Sequence, residues 1–330
     1  MLLLSTASSY TQDIQFSQFY QVPTYQNPAF AGSAHTTRAT VHQRIQWPSL
    51  DAKFVTSFIS FDGYKKKHKS GFGGYILYDQ QGESSISSTQ IAGQYAYELH
   101  LSRKYALRMG LQIGWTIQSL DYSLLTFPSQ FDDNGIVNSA PIFDNNLVSF
   151  LDASSGVVFY APEFWIGLSV HHMNTPNLAF LDDVSNLPMK FSLTGGYKIL
   201  IRDYPKGLAV SDDKEISITP TFQYKSQGKS DQFDLGIYFL YHKFISGFWY
   251  RGIPLKLYSS DYHNSESVVF LLGTKLQSLG ITYSYDWTVS TLALAKTGGS
   301  HEINLTYFFG KTNKKKKPSK RMPCPSFYRH

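Results

Sequence analysis

The chain has one cysteine, Cys324, in 330 residues. A single thiol excludes an intramolecular disulfide and any cysteine-based metal cluster. None stands near the start, so N-terminal lipidation is not expected. Charge is scarce as well: Asp, Glu, Lys and Arg together make 16% of the chain, against roughly 25% in a soluble globular protein. Long apolar runs are missing. The continuous pieces, such as Val268 to Leu272, are strand-sized, and none approaches the roughly 18 residues of a spanning helix. Signatures of familiar chemistry are missing too. There is no nucleophile elbow, no phosphate-cradling glycine loop and no His-Glu-x-x-His zinc motif, which points away from an enzyme and from a bound cofactor.

Aromatic residues are plentiful, with 23 Tyr and 24 Phe. Rings with a polar edge suit a boundary where one end of the side chain is dry and the other wet. They fall in a two-sided pattern. In the closing stretch Glu302 to Phe309, Ile303, Leu305, Tyr307 and Phe309 share one side, and Glu302, Asn304 and Thr306 the other. Successive side chains of a strand point to opposite faces, so such a stretch has one oily and one polar face. Tyr105, Leu107, Met109, Leu111, Ile113, Trp115 and Ile117 repeat it against Arg108, Gly110, Gln112, Gly114, Thr116 and Gln118. So do Phe233, Leu235, Ile237, Phe239 and Tyr241 against Asp234, Gly236 and His242.

Strands are expected near 36–47, 51–62, 71–79, 86–101, 104–118, 146–160, 163–172, 189–201, 215–226, 231–242, 243–252, 266–276, 279–288 and 301–310. This predicts an all-β chain, a transmembrane antiparallel outer-membrane β-barrel of about 14 strands. The long links, 119–145, 173–188, 253–265 and 289–300, all follow odd-numbered strands, as they should if outer loops are long and periplasmic turns short. Gly63–Ser70 and Asp203–Lys214 are exceptions among the even-strand turns. A soluble β-sandwich also alternates, but the odd-even loop pattern and the low charge disfavour it.

Four regions are expected: 1–12 as the remnant of a signal peptide, 13–35 as an aromatic segment at the periplasmic side, 36–310 as the barrel and 311–330 as a basic periplasmic tail. Pro23 and Pro28 make residues 13–35 an ordered irregular segment rather than a strand, fit to plug or brace the periplasmic mouth. After Gly310 come eight Lys and Arg and no acid. The net charge of +6 is therefore a property of the tail, and no nucleic-acid partner is expected. Lys314, Lys315, Lys316 and Lys317 fall on the same side as Lys65, Lys66, Lys67 and Lys69, a basic patch suited to an anionic periplasmic surface or simply solvated.

Arg38, Thr40, His42, Arg44, Arg108 and Lys190 are expected to point inward, where charges either line a water channel or pair to plug it. His171 and His172 are adjacent and are expected on opposite faces as surface or rim residues, not as metal ligands. Gly71, Gly73 and Gly74 resemble a phosphate loop only in isolation; within a strand they relieve crowding or allow a bend. Asp132, Asp133, Asn134 and Gly135 fit a turn better than a calcium site. In the longest loop Phe127, Phe131 and Phe143 are expected to be exposed, as a partner surface or folded over the lumen.

The run Gln15 to Tyr20, then Tyr25-Gln26-Asn27-Pro28-Ala29-Phe30-Ala31-Gly32-Ser33, resembles the opening of the PorP/SprF family of type IX secretion membrane proteins. Arg44, Gln46, Trp47, Pro48, Phe54, Ser60, Phe61, Asp62, Gly71 to Gly74, Asp79 and Gly82 continue the likeness, and Cys324-Pro325 is similar to the short tail of members. The resemblance implies a non-enzymatic outer-membrane barrel of Bacteroidetes-type bacteria, tied to type IX secretion and gliding motility through export or display of large adhesins. It implies as partners a secreted cell-surface protein, held through its C-terminal domain, and type IX components. Within the opening, Phe16, Tyr20, Tyr25, Asn27, Pro28 and Phe30 are the expected structural or partner-contacting residues. An outer-membrane solute channel is the alternative.

Overall fold

The computed structural model describes residues 13–50, 54–82, 86–121, 146–180, 184–202, 215–259, 262–276, 278–289 and 297–309. Fifteen strands form one antiparallel sheet: β1 Thr37–Gln46, β2 Phe54–Lys65, β3 Ser70–Gln81, β4 Ile86–His100, β5 Ala106–Ser119, β6 Leu147–Tyr160, β7 Phe164–His171, β8 Lys190–Tyr197, β9 Ile199–Arg202, β10 Ile216–Gln227, β11 Ser230–Tyr241, β12 Phe244–Ser259, β13 Tyr262–Leu276, β14 Leu279–Thr288 and β15 Ser300–Phe309. Each barrel strand pairs with the next, β10 pairs with β11, and β15 pairs with β1, so the sheet closes. β9 prolongs the line of β8 along β10. The barrel therefore has 14 strands and one extra piece. The single strand expected over 189–201 is this broken pair.

The closed sheet is turned inside out relative to a soluble fold. Leu111 and Ile113 of β5 are 65% and 69% exposed, while Arg108 and Gln112 on the opposite face are 0% and 2% exposed. β15 repeats this, with Ile303, Leu305, Tyr307 and Phe309 outward and Glu302, Asn304 and Thr306 buried. In water such an outer surface would be unfavourable at every position; in lipid it is the stable arrangement, and closure leaves no unpaired strand edge. Arg38, Thr40, His42, Arg44, Arg108 and Lys190 all point inward, as the alternation predicts.

Thr37 pairs with Phe309, so the barrel begins and ends at one end. By the short-turn rule that is the periplasmic end. Two expected links differ. Gly63–Ser70 is a tight connection, since β2 runs to Lys65 and a single 3-10 turn, Lys66–His68, leads into β3. The long outer loop expected over 253–265 is instead the upper part of the β12–β13 hairpin. Gly252 and Pro254 read as breakers, but they fall where the ladder shifts register, between Arg251/Gly252 and Ile253/Leu257. Bulges of this kind accommodate a proline without ending the strand.

Candidate functional site: a plugged lumen

Ahead of β1, the chain folds inside the barrel. Two 3-10 turns, Phe19–Gln21 and Pro28–Phe30, flank one helical turn, Pro23–Gln26. Pro23 and Pro28 each begin a turn, where a missing N–H is no loss. The segment runs from Asp13, beside the outer ends of β8 and β10, to Gly32, beside Gly63 and Gly71 where β2 and β3 meet. It therefore lies along the lumen rather than only at the periplasmic mouth, because its attachments continue along its whole length.

The wall holds the segment largely by its main chain. At one side the Glu302 carboxylate accepts the N–H groups of Ser17 (2.7 Å) and Gln18 (2.8 Å). Trp249 Nε1 donates to the Ser17 carbonyl at 3.0 Å. The Ser17 hydroxyl accepts from Arg44 Nη1 (2.6 Å) and Arg251 Nη2 (3.0 Å) and meets Asp286. Arg44 pairs with Glu302 and Asp286, and Arg251 with Asp234 and Asp286. Across the lumen Gln94 donates to the Thr24 carbonyl at 2.6 Å and Ser169 to the Gln26 carbonyl at 3.0 Å. Arg108 donates to the carbonyls of Ala29 (2.9 Å) and Ala31 while pairing with Glu98. Asp62, bound to Arg38 at 2.7 Å, accepts the Gly32 N–H at 2.8 Å. Buried charges are tolerable only when paired and hydrogen-bonded, and here each pair is completed by the segment.

Apolar sockets complete the seat. Phe16 lies edge-on to Tyr25 (5.1 Å) and His42 (4.9 Å). Tyr20 packs against Tyr238 at 4.1 Å and Trp249 at 5.8 Å, and Phe30 against Ala106, Val158, Tyr160 and Trp165. Asn27 accepts from Ala29 N (2.9 Å), capping the second 3-10 turn, and donates to the Leu168 carbonyl (2.9 Å). Glycines make room: a Cβ at Gly71, Gly110 or Gly156 would collide with Ala31, Ala29 or Asn27 respectively. Gly32 has φ +70°, a conformation that favours glycine.

All six expected residues of the segment thus face the barrel's interior: Phe16, Tyr20, Asn27, Pro28 and Phe30 are buried and Tyr25 is half-buried. Lys65, Lys66 and Lys67 are exposed at the end of the barrel where β1 begins and β15 ends, with the Lys65 ammonium 5.3 Å from the Phe72 ring centre. Phe127, Phe131, Phe143, the Asp132–Gly135 stretch, Asp203–Lys214, Lys314, Lys315, Lys316, Lys317 and residues 1–12 lie outside the described residues. Glu98, Asp286, Trp249 and Arg251 are not among the expected residues, and Glu302 is expected only as part of the polar face of the closing strand. One signal was available: Tyr238, Leu240, Ile245, Trp249, Val269 and Leu271 are apolar at inward positions, which a water-filled lumen would not favour.

The histidine pair departs from expectation. His171 and His172 are both buried, 4% and 7% exposed. β7 ends at His171, and His172 takes φ +58°, which breaks the alternation and turns both rings inward. His171 bonds the Gln26 carbonyl at 3.2 Å; His172 lies between Asp13 (2.8 Å) and Asp152 (3.0 Å). Asp13 is also bound by Lys190 and by Gln227 Nε2 at 3.0 Å. Burial would raise the Asp13 carboxyl, but Lys190 and His172 hold it well below its ordinary value. Burial would lower His172, but Asp13 and Asp152 push it up to about 9. Asp13 thus contributes stability above the carboxylate range, lost as pH falls through its depressed pKa. His172 contributes fully below its ordinary 6.5, and that part is lost as pH rises through about 9. Hydrogen exchange of residues 13–18 is expected to be slowest near pH 6 and to quicken, after correction for intrinsic rates, between pH 7 and 10. A His172→Gln variant should flatten that rise; an identical rise in the variant would refute the latch.

The profile of the family described as type IX secretion system membrane protein PorP/SprF matches residues 8–307. The chain belongs to the PorP/SprF family. In this PorP/SprF protein the resembling opening motif, Gln15 to Ser33, is the plug itself. Among solved structures it is similar to the Acinetobacter baumannii outer membrane protein Omp33, at 7% identity and TM-score 0.44, covering 83% of this chain and 98% of that one. It is similar to the P. putida toluene transporter TodX, at 11% identity and TM-score 0.45, covering 86% and 93%. A Pseudomonas aeruginosa FadL homologue follows at 11% identity and TM-score 0.42, covering 87% and 93%. No curated protein matches the sequence. As a closed barrel of the PorP/SprF family with a lipid-facing apolar surface, the protein is integral to the outer membrane.

Proposed function

We propose that this PorP/SprF barrel is a non-enzymatic holder for the type IX secretion system, retaining a secreted partner such as a large adhesin at the cell surface in support of gliding motility. The filled lumen carries this reading. A barrel whose interior is bonded along its length to its own segment is built to present its two rims rather than to pass a solute. The outer loop bearing Phe127, Phe131 and Phe143 is the partner surface, contacting the C-terminal domain of the cargo. The aromatic segment keeps the rims in register, and the lysines of the β2–β3 turn and tail face the periplasmic components.

A tagged full-length copy, drawn from its own envelope in mild detergent, is expected to bring along a large secreted protein or type IX components, read by mass spectrometry. Recovery of the barrel alone, together with solute-dependent conductance in planar bilayers, would overturn the holder in favour of a channel.

A further inference from the structure

At the outer end, between the start of the plug and the inner faces of β8, β10 and β11, lies a cavity of about 50 Å3. One water needs roughly 10–15 Å3, so the space takes a few waters or one small polar group. Its polar lining is not balanced. The Lys190 ammonium is committed to Asp13. The ammonium of Lys225, which also lines the cavity, has no ion pair or hydrogen bond among the described residues; Asp234 and Glu266 act on it only from a distance. Three further lining groups lack partners among the described residues: Gln26 Nε2, Gln223 Oε1 and Gln232 Oε1. Their side chains are 8%, 3% and 8% exposed. Gln232 cannot be turned to cure this, because its Nε2 already donates to Asp234 at 2.7 Å.

Lys225 stands directly opposite Gln232 and two residues from Gln223 on the β10–β11 wall, and Gln26 lines the cavity from the plug. An ammonium and a free amide N–H together with two free carbonyl oxygens are complementary to a group that offers negative oxygens beside an N–H. We propose that this cavity binds a carboxylate flanked by an amide, the carboxylate on Lys225 Nζ and Gln26 Nε2 and the amide N–H on Gln223 or Gln232 Oε1. Two molecules carry that chemistry, a free N-acyl amino acid and the C-terminal end of a polypeptide. The half-buried residues Ile14, Gln15, Ser230 and Asp231 form the outer edge. The space admits the terminal group and leaves the rest of a ligand outside. The polypeptide source rests on the holder reading; the site itself does not.

The purified full-length barrel in detergent is titrated with N-acetylglycine, with N-acetylglycinamide, and with one hexapeptide as free acid and as amide, followed by calorimetry or saturation-transfer NMR. The free acids are expected to bind saturably and the amides at least about tenfold more weakly, a difference of about 1.4 kcal/mol. Lys225→Met is expected to weaken the acids by about tenfold or more and Lys225→Arg to restore them in part. Gln223→Leu serves as a second variant if Lys225→Met does not give a heat-modifiable barrel. A free-acid hexapeptide binding about tenfold tighter than N-acetylglycine assigns a chain terminus, and equal affinity assigns the small molecule. No saturable binding of any acid, or binding untouched by both variants, overturns the site. If the envelope pull-down still recovers the secreted partner in that case, the holder reading survives and only the cavity assignment falls.

Discussion

Gly110→Leu is expected to turn a closed barrel into a conducting one. A Cβ at Gly110 would collide with Ala29 N and with the Pro28 carbonyl carbon. Both are backbone atoms, tied to the same wall by Arg108 through the Ala29 carbonyl and capped by Asn27 through the Ala29 N–H, so they cannot swing aside as a flexible side chain would. Overpacking of this kind costs roughly 1–3 kcal/mol, occasionally more. The least costly relief is for residues 27–33 to leave the wall, which also breaks the Arg108 and Asp62 attachments. Planar bilayers should then show stepwise conductance absent from the wild type, and proteases should cut within residues 13–35. Gly93→Leu supplies the control, since a Cβ there meets nothing within 4 Å. Equal conductance from wild type, Gly93→Leu and Gly110→Leu would show that the segment does not seal the lumen.

Glu302→Ala should be the most destabilising single truncation in the lumen. It removes the acceptor of two consecutive backbone N–H groups, breaks the pair with Arg44, and takes away a carboxylate 3.3 Å from His42 Nε2. All of these are buried, and breaking a buried ion pair from one side costs about 3–5 kcal/mol because the remaining charge stays behind. Urea unfolding of the refolded barrel is the readout, with Glu302→Gln expected between the two. That replacement keeps the shape but offers only one oxygen acceptor to Ser17 and Gln18. A Glu302→Ala loss under about 1 kcal/mol would mean that the segment is not anchored there.

Much of the barrel was legible because alternation is a local property. Leu111, Ile113 and Trp115 against Arg108, Gln112 and Thr116 declare two faces within ten residues, whatever the rest of the chain does. The inward charges were legible for the same reason. Their partners were not, because Arg44, Asp286, Glu302 and Arg251 come together only when β15 pairs with β1 and β12 stands opposite Ser17. The upper β12–β13 hairpin was missed because Pro254 is a breaker in sequence but tolerable at a register shift. The turning of His172 depends on one backbone torsion that no composition records. The opening segment was recognised as ordered and aromatic, yet its course through the lumen follows from Gly71, Gly110 and Gly156. Each is unremarkable in its own strand, and they acquire meaning only as one groove.

The strand that closes the sheet against β1 is also the strand that carries Glu302, the acceptor for Ser17 and Gln18. Synthesis makes these two regions at opposite ends of the chain, 285 residues apart for Ser17 and Glu302. The plug therefore cannot be fully fastened until the last strand arrives, and the seam that ends the sheet's growth fastens it in the same step. Sealing is thus coupled to completion: an assembly that stalls before β15 leaves both an open edge and an unlatched plug, two defects that a membrane insertion machinery would meet together.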